Sequence, residues 1–355
     1  MPTLRKVLLS RCLCPLLLLL ALTACGGRSD QSRQAEDSAN ATADATLTPD
    51  PVTILFDTDC GPDYDDVGAM AMLHAFADRG EARILGTVSS NLHPLVGPSI
   101  DVLNTYFGRP DLPIGAPKTA GVNMNASQKW TDTLVARYPH KLKATTDAPD
   151  AVAVYRRLLA AQPDTSVTVV TVGFLTNVRN LLASKPDSLS PLDGKALVKR
   201  KVKQWVAMAG KFPEGREFNI EKDSTASQIA IDGWPTPIVF SGFEIGEKVK
   251  TGLQLIKEGD AGSPVRHVFA LSIPMAKEDK DGRMSWDQTA VLVAVRGAAP
   301  FYDTQRGRFL TRPDGSNGWQ DDPNGPHTRL VHKMAPDSVA QEIETLMMHR
   351  PSRAN

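Results

Sequence analysis

The chain has 355 residues, of which 41% are hydrophobic, so it is long enough for two domains and apolar enough for a large buried core. Its 40 basic residues balance 40 acidic ones, which gives no electrostatic argument for nucleic acid as a partner. Three of the four cysteines, Cys12, Cys14 and Cys25, lie close to the N-terminus. Cys60 is therefore the only cysteine in the rest of the chain, and an internal disulfide is excluded there.

The N-terminus has the pattern of an export signal. Basic residues precede the apolar run 16–22, which is shorter than the roughly 20 apolar residues of a membrane span. The run ends in Leu-Thr-Ala-Cys, which resembles the lipobox of bacterial lipoproteins. This resemblance implies a lipoprotein signal peptide at residues 1–24 and a lipid anchor at Cys25. Gly26 in place of an aspartate favours the outer membrane, with the protein facing the periplasm. An ordinary cleaved signal is the alternative.

A composition change separates this leader from the rest of the chain. Residues 26–50 are rich in Ser, Ala, Asp, Thr and Gly and contain almost no bulky apolar side chains. Such a segment cannot bury enough surface to order itself, so residues 25–50 are predicted to be a flexible tether. Residues 51–355 are predicted to form one domain.

Short β-branched apolar runs alternate with helical patterns from Val52 onward. Strands are predicted at residues 52–56, 82–88, 167–173, 202–208 and 237–240, and helices at 67–77, 100–107, 152–159 and 339–348. The turn-rich segment 306–327 is predicted to be a hairpin or a surface loop. This alternation predicts an α/β fold with a mainly parallel central sheet flanked by helices.

A dense acidic loop follows the first predicted strand. Its five aspartates are Asp57, Asp59, Asp63, Asp65 and Asp66. Carboxylates this close repel one another unless a cation lies among them or some are protonated. Calcium, which takes six to eight oxygen ligands, suits this composition, and magnesium is the close alternative. Ligands of parallel sheets bind at the carboxyl ends of the strands, which is where this loop falls.

Two other interpretations of the loop are testable on the sequence. An EF-hand needs a glutamate at its twelfth position, which is Gly68 when the count starts at Asp57, so that interpretation fails. A haloacid-dehalogenase-type phosphatase also begins with Asp-x-Asp after a strand, but it normally has Thr or Val at the fifth position. This chain has Gly61 there. The phosphatase is kept as an alternative.

The pattern Asp-Thr-Asp-x-Gly-x-Asp-x-Asp-Asp at residues 57–66, before a helix of small residues, resembles the N-terminal signature of the nucleoside hydrolase family. Companion motifs follow in order: Asn91, the turn Val172–Asn177, Glu217-Phe218-Asn219 and Trp286-Asp287. The resemblance covers about residues 52–294. It implies a nucleoside hydrolase-like fold with a Rossmann-like core, and calcium-dependent hydrolysis of the N-glycosidic bond of ribonucleosides.

The resemblance also assigns roles to residues. It implies that Asp59, Asp66, Asp287 and the Val172 carbonyl bind Ca²⁺, and that Asp59 acts as the general base. The ribose-binding residues that it implies are Asp65, Asn91, Glu217 and Asn219. Asp57 and Asp63 are expected to support the loop rather than to contact the substrate.

The base-binding end departs from part of the family. Inosine-uridine-preferring members have a histidine before the last metal-binding aspartate, where this chain has Trp286. The tryptophan resembles purine-preferring members, which stack the base between aromatic rings, and Trp130 is a candidate for the second ring. A purine nucleoside is therefore the expected substrate. A non-catalytic nucleoside- or sugar-binding lipoprotein is the alternative. Family members are commonly homo-oligomers.

Overall fold

The computed structural model describes residues 50–351, and most of its strands join one mixed sheet. The strands are β1 Val52–Thr58, β2 Ala82–Ser89, β3 Ile114–Gly115, β4 Val167–Thr171, β5 Val202–Met208, β6 Glu214–Arg216, β7 Ile238–Ser241, β8 Lys250–Thr251, β9 Arg283–Met284, β10 Tyr302–Thr311, β11 Ser316–Asp321 and β12 His327–His332. The ten-stranded sheet has the order β3-β2-β1-β4-β5-β7-β12-β10-β11-β6, and β8 and β9 form a separate antiparallel pair. The first seven strands of this order, which end with β12, run parallel to one another. The last three strands, β10, β11 and β6, each run antiparallel to the strand before them in the order.

Helices connect the strands and cover the sheet. They are α1 Asp65–Asp78, α2 Val96–Tyr106, α3 Trp130–Arg137, α4 Ala151–Ala160, α5 Thr176–Ala183, α6 Gly194–Lys201, α7 Phe218–Lys222, α8 Ser224–Gly233, α9 Phe243–Glu247, α10 Leu253–Glu258, α11 Pro264–Ser272, α12 Trp286–Arg296 and α13 Pro336–Met347. Among residues 50–351, no helix has the length and apolar character that crossing a membrane requires.

The apolar run of β1 is buried on both of its faces. Ile54 and Phe56 belong to a hydrophobic cluster with α1, α2, α12 and α13, whereas Leu55 belongs to a second cluster with α4, α5, α6 and α8. Because successive side chains of a strand point to opposite faces, one uninterrupted apolar run supplies both cores. This arrangement places β1 in the middle of the molecule, with the acidic loop at its carboxyl end.

Helix α1 is buried along most of its length, from Asp65 to Phe76. A Cβ on Gly68 would lie 2.5 Å from Nε2 of Gln288, so α1 and α12 approach each other closely. Both helices begin with acidic residues, Asp65 and Asp66 on α1 and Asp287 on α12. The N-terminus of a helix is a favourable place for negative charge. The packing therefore brings carboxylates that are more than 200 positions apart to one end of the sheet.

The α/β fold with a mainly parallel central sheet is confirmed. Segment 306–327 contains a hairpin, β10–β11, that extends the sheet. The stretch around Trp130, for which no helix or strand is predicted, forms the short helix α3. The predicted signal peptide at residues 1–24, the lipidated Cys25 and the tether up to residue 49 lie outside the described residues.

Candidate active site

A cavity of about 400 Å³ opens at the carboxyl ends of β1, β4 and β5. Its lining residues are Asp59, Pro62, Asp63, Asp65, Ser127, Gln128, Val172, Met208, Glu217, Phe218, Asn219, Phe243, Glu278, Arg283, Met284, Trp286 and Asp287. Carboxylates, amides and aromatic rings therefore face one cavity. Such a mixture of polar and apolar groups is typical of a small-molecule site.

Close backbone approaches shape the acidic loop. Cys60 has a φ of +31°, and a Cβ on the next residue, Gly61, would lie 2.7 Å from Nδ2 of Asn91. A Cβ on Gly173 would lie 2.5 Å from the backbone nitrogen of Asp59. Because these distances are shorter than ordinary contacts, both glycines allow the loop to pass between its neighbours. They fix the position of Asp59 above the sheet.

Three carboxylates of the loop form a group that could hold a metal ion. Asp59, Asp63 and Asp66 each offer one oxygen, and these oxygens lie within 4.8 Å of one another. Oδ1 of Asp66 accepts hydrogen bonds from Oγ1 of Thr58 and from the backbone nitrogen of Cys60. Oδ2 of Asp66 is buried without a hydrogen-bond partner. A buried carboxylate oxygen with no partner is destabilising, and a cation bound here would provide that partner. The residues present therefore fit a bound cation.

The electrostatics of the site agree with that fit. The pKa values of Asp59, Asp66 and Asp287 are raised well above the usual value, first by burial and then by the neighbouring carboxylates. Asp287 lines the same cavity as Asp59, although it is not one of the three carboxylates whose oxygens lie within 4.8 Å of one another. A dication would neutralise this repulsion and hold the carboxylates ionised.

Asp57 lies beneath the cavity and does not line it. Oδ2 accepts a hydrogen bond from the Tyr155 hydroxyl at 2.8 Å and another from Nδ2 of Asn177 at 3.2 Å. Burial raises the pKa of Asp57 to about 7, although these donors oppose the shift. Asp57 therefore lies in the hydrogen-bonded base of the loop, and its supporting role stays a prediction.

Asp63 and Asp65 share a basic partner that the sequence did not indicate, Arg283 on β9. Nη2 of Arg283 lies 2.6 Å from Oδ2 of Asp63 and 2.9 Å from Oδ1 of Asp65. Oδ2 of Asp65 accepts from the backbone nitrogen of Asp287 at 3.3 Å. Arg283 begins the two-residue strand β9, directly after a glycine. Because so short a strand has no hydrophobic periodicity, only the structure reveals that Arg283 lines the cavity.

Glu217 and Asn219 meet Val172 at another part of the cavity wall. Glu217 accepts hydrogen bonds from the backbone nitrogens of Gly210, Asn219 and Ile220, at 3.2, 2.7 and 3.1 Å. Burial raises the pKa of Glu217 to about 7, although these hydrogen bonds oppose the shift. Nδ2 of Asn219 donates to the Val172 carbonyl at 3.3 Å. The structure thus brings three of the expected site residues together.

Asn91, which was expected to bind the ribose, does not face the cavity. It is completely buried. Its Nδ2 donates to the carbonyls of Asp59 and Met124, and its Oδ1 accepts from the backbone nitrogens of His93 and Met124. Because both ends of the amide are occupied, Asn91 ties the acidic loop to the segment around Met124 instead of facing a ligand.

Of the two aromatic residues expected in the cavity wall, the structure places Trp286 there but not Trp130. Trp286 lines the cavity, its Nε1 donates to the Phe243 carbonyl at 2.8 Å, and the two rings are 5.2 Å apart. Trp130, the other candidate, is 0% exposed, packs in the core at the start of α3 and is not among the residues that line the cavity. Phe243 follows the carboxyl end of β7, a position that could have identified it from the sequence.

Comparison with known proteins gives the class to which this fold and site belong. A family model described as inosine-uridine preferring nucleoside hydrolase matches residues 54–337. No curated protein sequence gives a significant match.

Solved structures share the fold at low sequence identity. The inosine-uridine preferring nucleoside hydrolase from Bacillus anthracis matches with a TM-score of 0.63 and 13% identity, over 83% of this chain and 98% of that one. The purine-preferring ribonucleoside hydrolase from Gardnerella vaginalis matches with a TM-score of 0.66 and 16% identity, over 83% and 98%. The type III effector protein XopQ, complexed with adenosine diphosphate ribose, matches with a TM-score of 0.62 and 15% identity, over 86% and 94%.

The match over residues 54–337 shows an enzyme that cleaves N-glycosyl bonds. The chain belongs to the inosine-uridine preferring nucleoside hydrolase family.

Proposed function

We propose that this protein is a calcium-dependent hydrolase of purine ribonucleosides, which releases the free base and ribose. The observation that carries the proposal is the composition of one cavity: the carboxylates of Asp59 and Asp287, the pair Glu217 and Asn219, and the aromatic ring of Trp286 all line it. These groups provide the three parts that N-glycosidic hydrolysis needs, namely water activation, sugar binding and base binding.

A cation fits the acidic part of the cavity because the carboxylates there are buried and one Asp66 oxygen has no partner. Asp59, Asp66, Asp287 and the Val172 carbonyl are the proposed ligands. Calcium is preferred to magnesium because a set of carboxylate and carbonyl oxygens suits its larger coordination number. When bound, the ion would lower the pKa of a water molecule and orient the ribose hydroxyls.

The chain's own residues then position the sugar and move the proton. Asp59 is the proposed general base: its carboxylate accepts a proton from the water that attacks the anomeric carbon as the bond to the base breaks. Glu217 and Asn219 bind ribose hydroxyls, and Asp65, which Arg283 holds in place, contacts the sugar from the other side. Asn91 is assigned to holding the loop of Asp59, because both ends of its amide are occupied.

The aromatic side chains support a purine preference. Trp286 and Phe243 form an apolar wall at the cavity. By resemblance, Trp286 stands where inosine-uridine-preferring members of the family have a histidine. A purine offers a larger ring surface than a pyrimidine for stacking on such a wall. A purine-preferring ribonucleoside hydrolase from Gardnerella vaginalis with the same fold supports this part of the proposal.

The first experiment is a turnover screen of the purified protein on purine and pyrimidine ribonucleosides, with and without calcium. We expect release of base and ribose from inosine or guanosine, loss of activity with a chelator, and a fall of at least about 10³-fold in kcat for Asp59→Ala. Asp281→Ala, which removes an exposed carboxylate two residues from Arg283, is the matched control and should retain activity. Absence of turnover on the whole panel would contradict the proposal.

A second candidate is capture of an N-ribosyl compound without turnover. The missing histidine favours it, and so does the related effector that was solved with adenosine diphosphate ribose. Calorimetry that detects nucleoside or adenosine diphosphate ribose binding, combined with no product in the screen, would support this candidate. The phosphatase alternative is not favoured, because Asp57, its required nucleophile, is buried outside the cavity.

We also propose that the protein is anchored by a lipid at Cys25 on the periplasmic face of the outer membrane, with a homo-oligomer as the expected assembly. Labelling of cells with a radioactive fatty acid should mark the protein, and Cys25→Ala should abolish the label and release the protein from the membrane fraction. Labelling that persists in Cys25→Ala would exclude the anchor. Light scattering after gel filtration gives the oligomeric state.

A further inference from the structure

Six aspartates at the acidic end of the cavity fall into two groups according to whether they lie next to Arg283. Asp63, Asp65 and Asp279 each lie within 4 Å of the Arg283 guanidinium. Within residues 50–351, no ion pair joins the other three, Asp59, Asp66 and Asp287, to a basic side chain, and these are the carboxylates proposed to hold the cation. The two groups overlap in space, because Asp63 also offers an oxygen within 4.8 Å of Asp59 and Asp66.

We infer that Arg283 is a positioning residue that withholds Asp63 and Asp65 from the metal, so that the cavity holds one cation and leaves Asp65 directed at the substrate. This inference rests on the proposed function for the bound cation and for the contact of Asp65 with the substrate. Arg283 is separate from the proposed ligands and from the groups assigned to water activation and proton transfer.

The surroundings of Arg283 hold its side chain firmly in this role. It is 7% exposed, and its guanidinium carbon lies 4.9 Å from the centre of the Tyr64 ring and 5.1 Å from the centre of the Trp286 ring. Oδ2 of Asp279 lies 3.7 Å from Nη1 of Arg283, and it also accepts a hydrogen bond from the Tyr64 hydroxyl at 2.5 Å. A guanidinium held between two rings and three carboxylates loses little further freedom when it forms its hydrogen bonds.

The proposed role has a consequence for metal affinity. A fixed positive charge beside the site repels a dication, and it occupies two carboxylates that would otherwise attract the ion. Replacing Arg283 with a neutral side chain should therefore strengthen calcium binding. The same change should weaken catalysis, because Asp65 and Trp286 both lose a contact that orients them. A residue with a purely structural role would weaken both properties together.

The test is isothermal titration calorimetry of the purified full-length protein with Ca²⁺, alongside inosine kinetics, for wild type, Arg283→Gln, Asp63→Asn and Asp66→Asn. For Arg283→Gln we expect a Kd for calcium at least about tenfold lower and a kcat at least about tenfold lower. Asp63→Asn should weaken calcium binding by less than about tenfold, because Asp63 is paired with Arg283 and is not a ligand. Asp66→Asn should abolish binding. Wild type should bind one ion.

The outcomes separate this inference from the proposed function. Weaker calcium binding in folded Arg283→Gln, or a loss in Asp63→Asn as large as that in Asp66→Asn, would overturn the inference. If Arg283→Gln fails to fold, Asp63→Asn decides the matter, because its side chain is 39% exposed and its removal is tolerable. No binding of Ca²⁺ by wild type would overturn both proposals. Calcium binding with the expected pattern but no nucleoside turnover would overturn the proposed function alone.

Discussion

Single residues at the turn after β4 control the position of Asp59. Gly173 faces the acidic loop so closely that a Cβ would lie 2.5 Å from the Asp59 nitrogen, 2.6 Å from Oγ of Ser90 and 2.8 Å from Cβ of Asp59. Two of these atoms belong to Asp59 itself, so the loop must shift to make room. The glycine is thus a condition for the geometry of the general base.

We predict that Gly173→Ala lowers kcat/KM for inosine by at least about 10²-fold, because the base is displaced, and costs about 1–3 kcal/mol of stability from overpacking. Steady-state kinetics and urea unfolding measure the two effects. Gly233→Ala is the control: its nearest neighbour would be a Leu182 side-chain carbon at 3.4 Å, an ordinary contact, so activity should not change. Equal activity of both variants would show that the loop can adapt.

The sequence identifies residues of this kind unevenly. Asp59, Glu217 and Asp287 could be predicted because each belongs to an ordered motif next to a strand end, and the structure places them in one cavity. Trp130 could not be separated from core packing, because a lone tryptophan carries no information about the direction of its ring. Arg283 had no motif at all, since its role arises from partners 218 and 220 positions away in the chain.

At the scale of elements, the packing of α1 against α2 includes a buried histidine. His74 is almost completely buried, its Nε2 lies 3.1 Å from Oδ1 of Asn104 on α2, and its ring is stacked 4.7 Å from Phe107. Burial and the Arg109 cation lower the pKa of His74 to about 3. The unfolded chain therefore takes up this proton near pH 6.5 while the folded protein does not.

Because the pKa of His74 is lower in the folded protein than in the unfolded chain, the stability that neutral His74 provides above pH 6.5 is lost as the pH falls toward 3. We predict that, between pH 6 and 4, the wild type loses about 1.4 kcal/mol of stability per pH unit more than His74→Gln does. Chemical unfolding of both proteins over this range measures the difference in stability. Because the aspartates titrate in both proteins, their contribution cancels in that difference. Parallel pH profiles would show that His74 is charged in the folded protein.

The predictability of an element depended on its length and pattern. β1, β2, β4 and β5 were predicted because continuous β-branched runs indicate strands buried on both faces. Helix α3 has only eight residues, with Trp130, Thr131 and Leu134 as its buried positions, so its pattern is too weak to distinguish from a loop. The two-residue strands β8 and β9 exist only because they pair with each other, which no local pattern shows.

At the scale of the whole molecule, the zero net charge conceals a strong local imbalance. Asp59, Asp66 and Asp287 repel one another across the junction of α1 and α12. Because the bound cation would join the start of the first helix to the start of the twelfth, its binding energy should contribute to global stability.

We predict that a chelator lowers the thermal midpoint of the protein, and that adding calcium at about 100 times its Kd restores about 2.7 kcal/mol of stability. Differential scanning calorimetry with EGTA, and with EGTA followed by excess calcium, measures the change. Asp66→Asn should show a midpoint that does not respond to either addition. A wild-type midpoint that is the same in EGTA and in calcium would contradict a cation between the two helices.

One wall of the cavity depends on a strand that is synthesised late. Glu217 directly follows β6, and β6 joins the sheet through β11, which spans Ser316–Asp321. The sugar-binding edge therefore cannot be completed until roughly nine-tenths of the polypeptide has been synthesised, although the acidic loop emerges early. A partly made or truncated chain that ends before residue 316 would carry most of its carboxylates and yet have no finished pocket, so cleavage activity should appear only when the last part of the chain has folded.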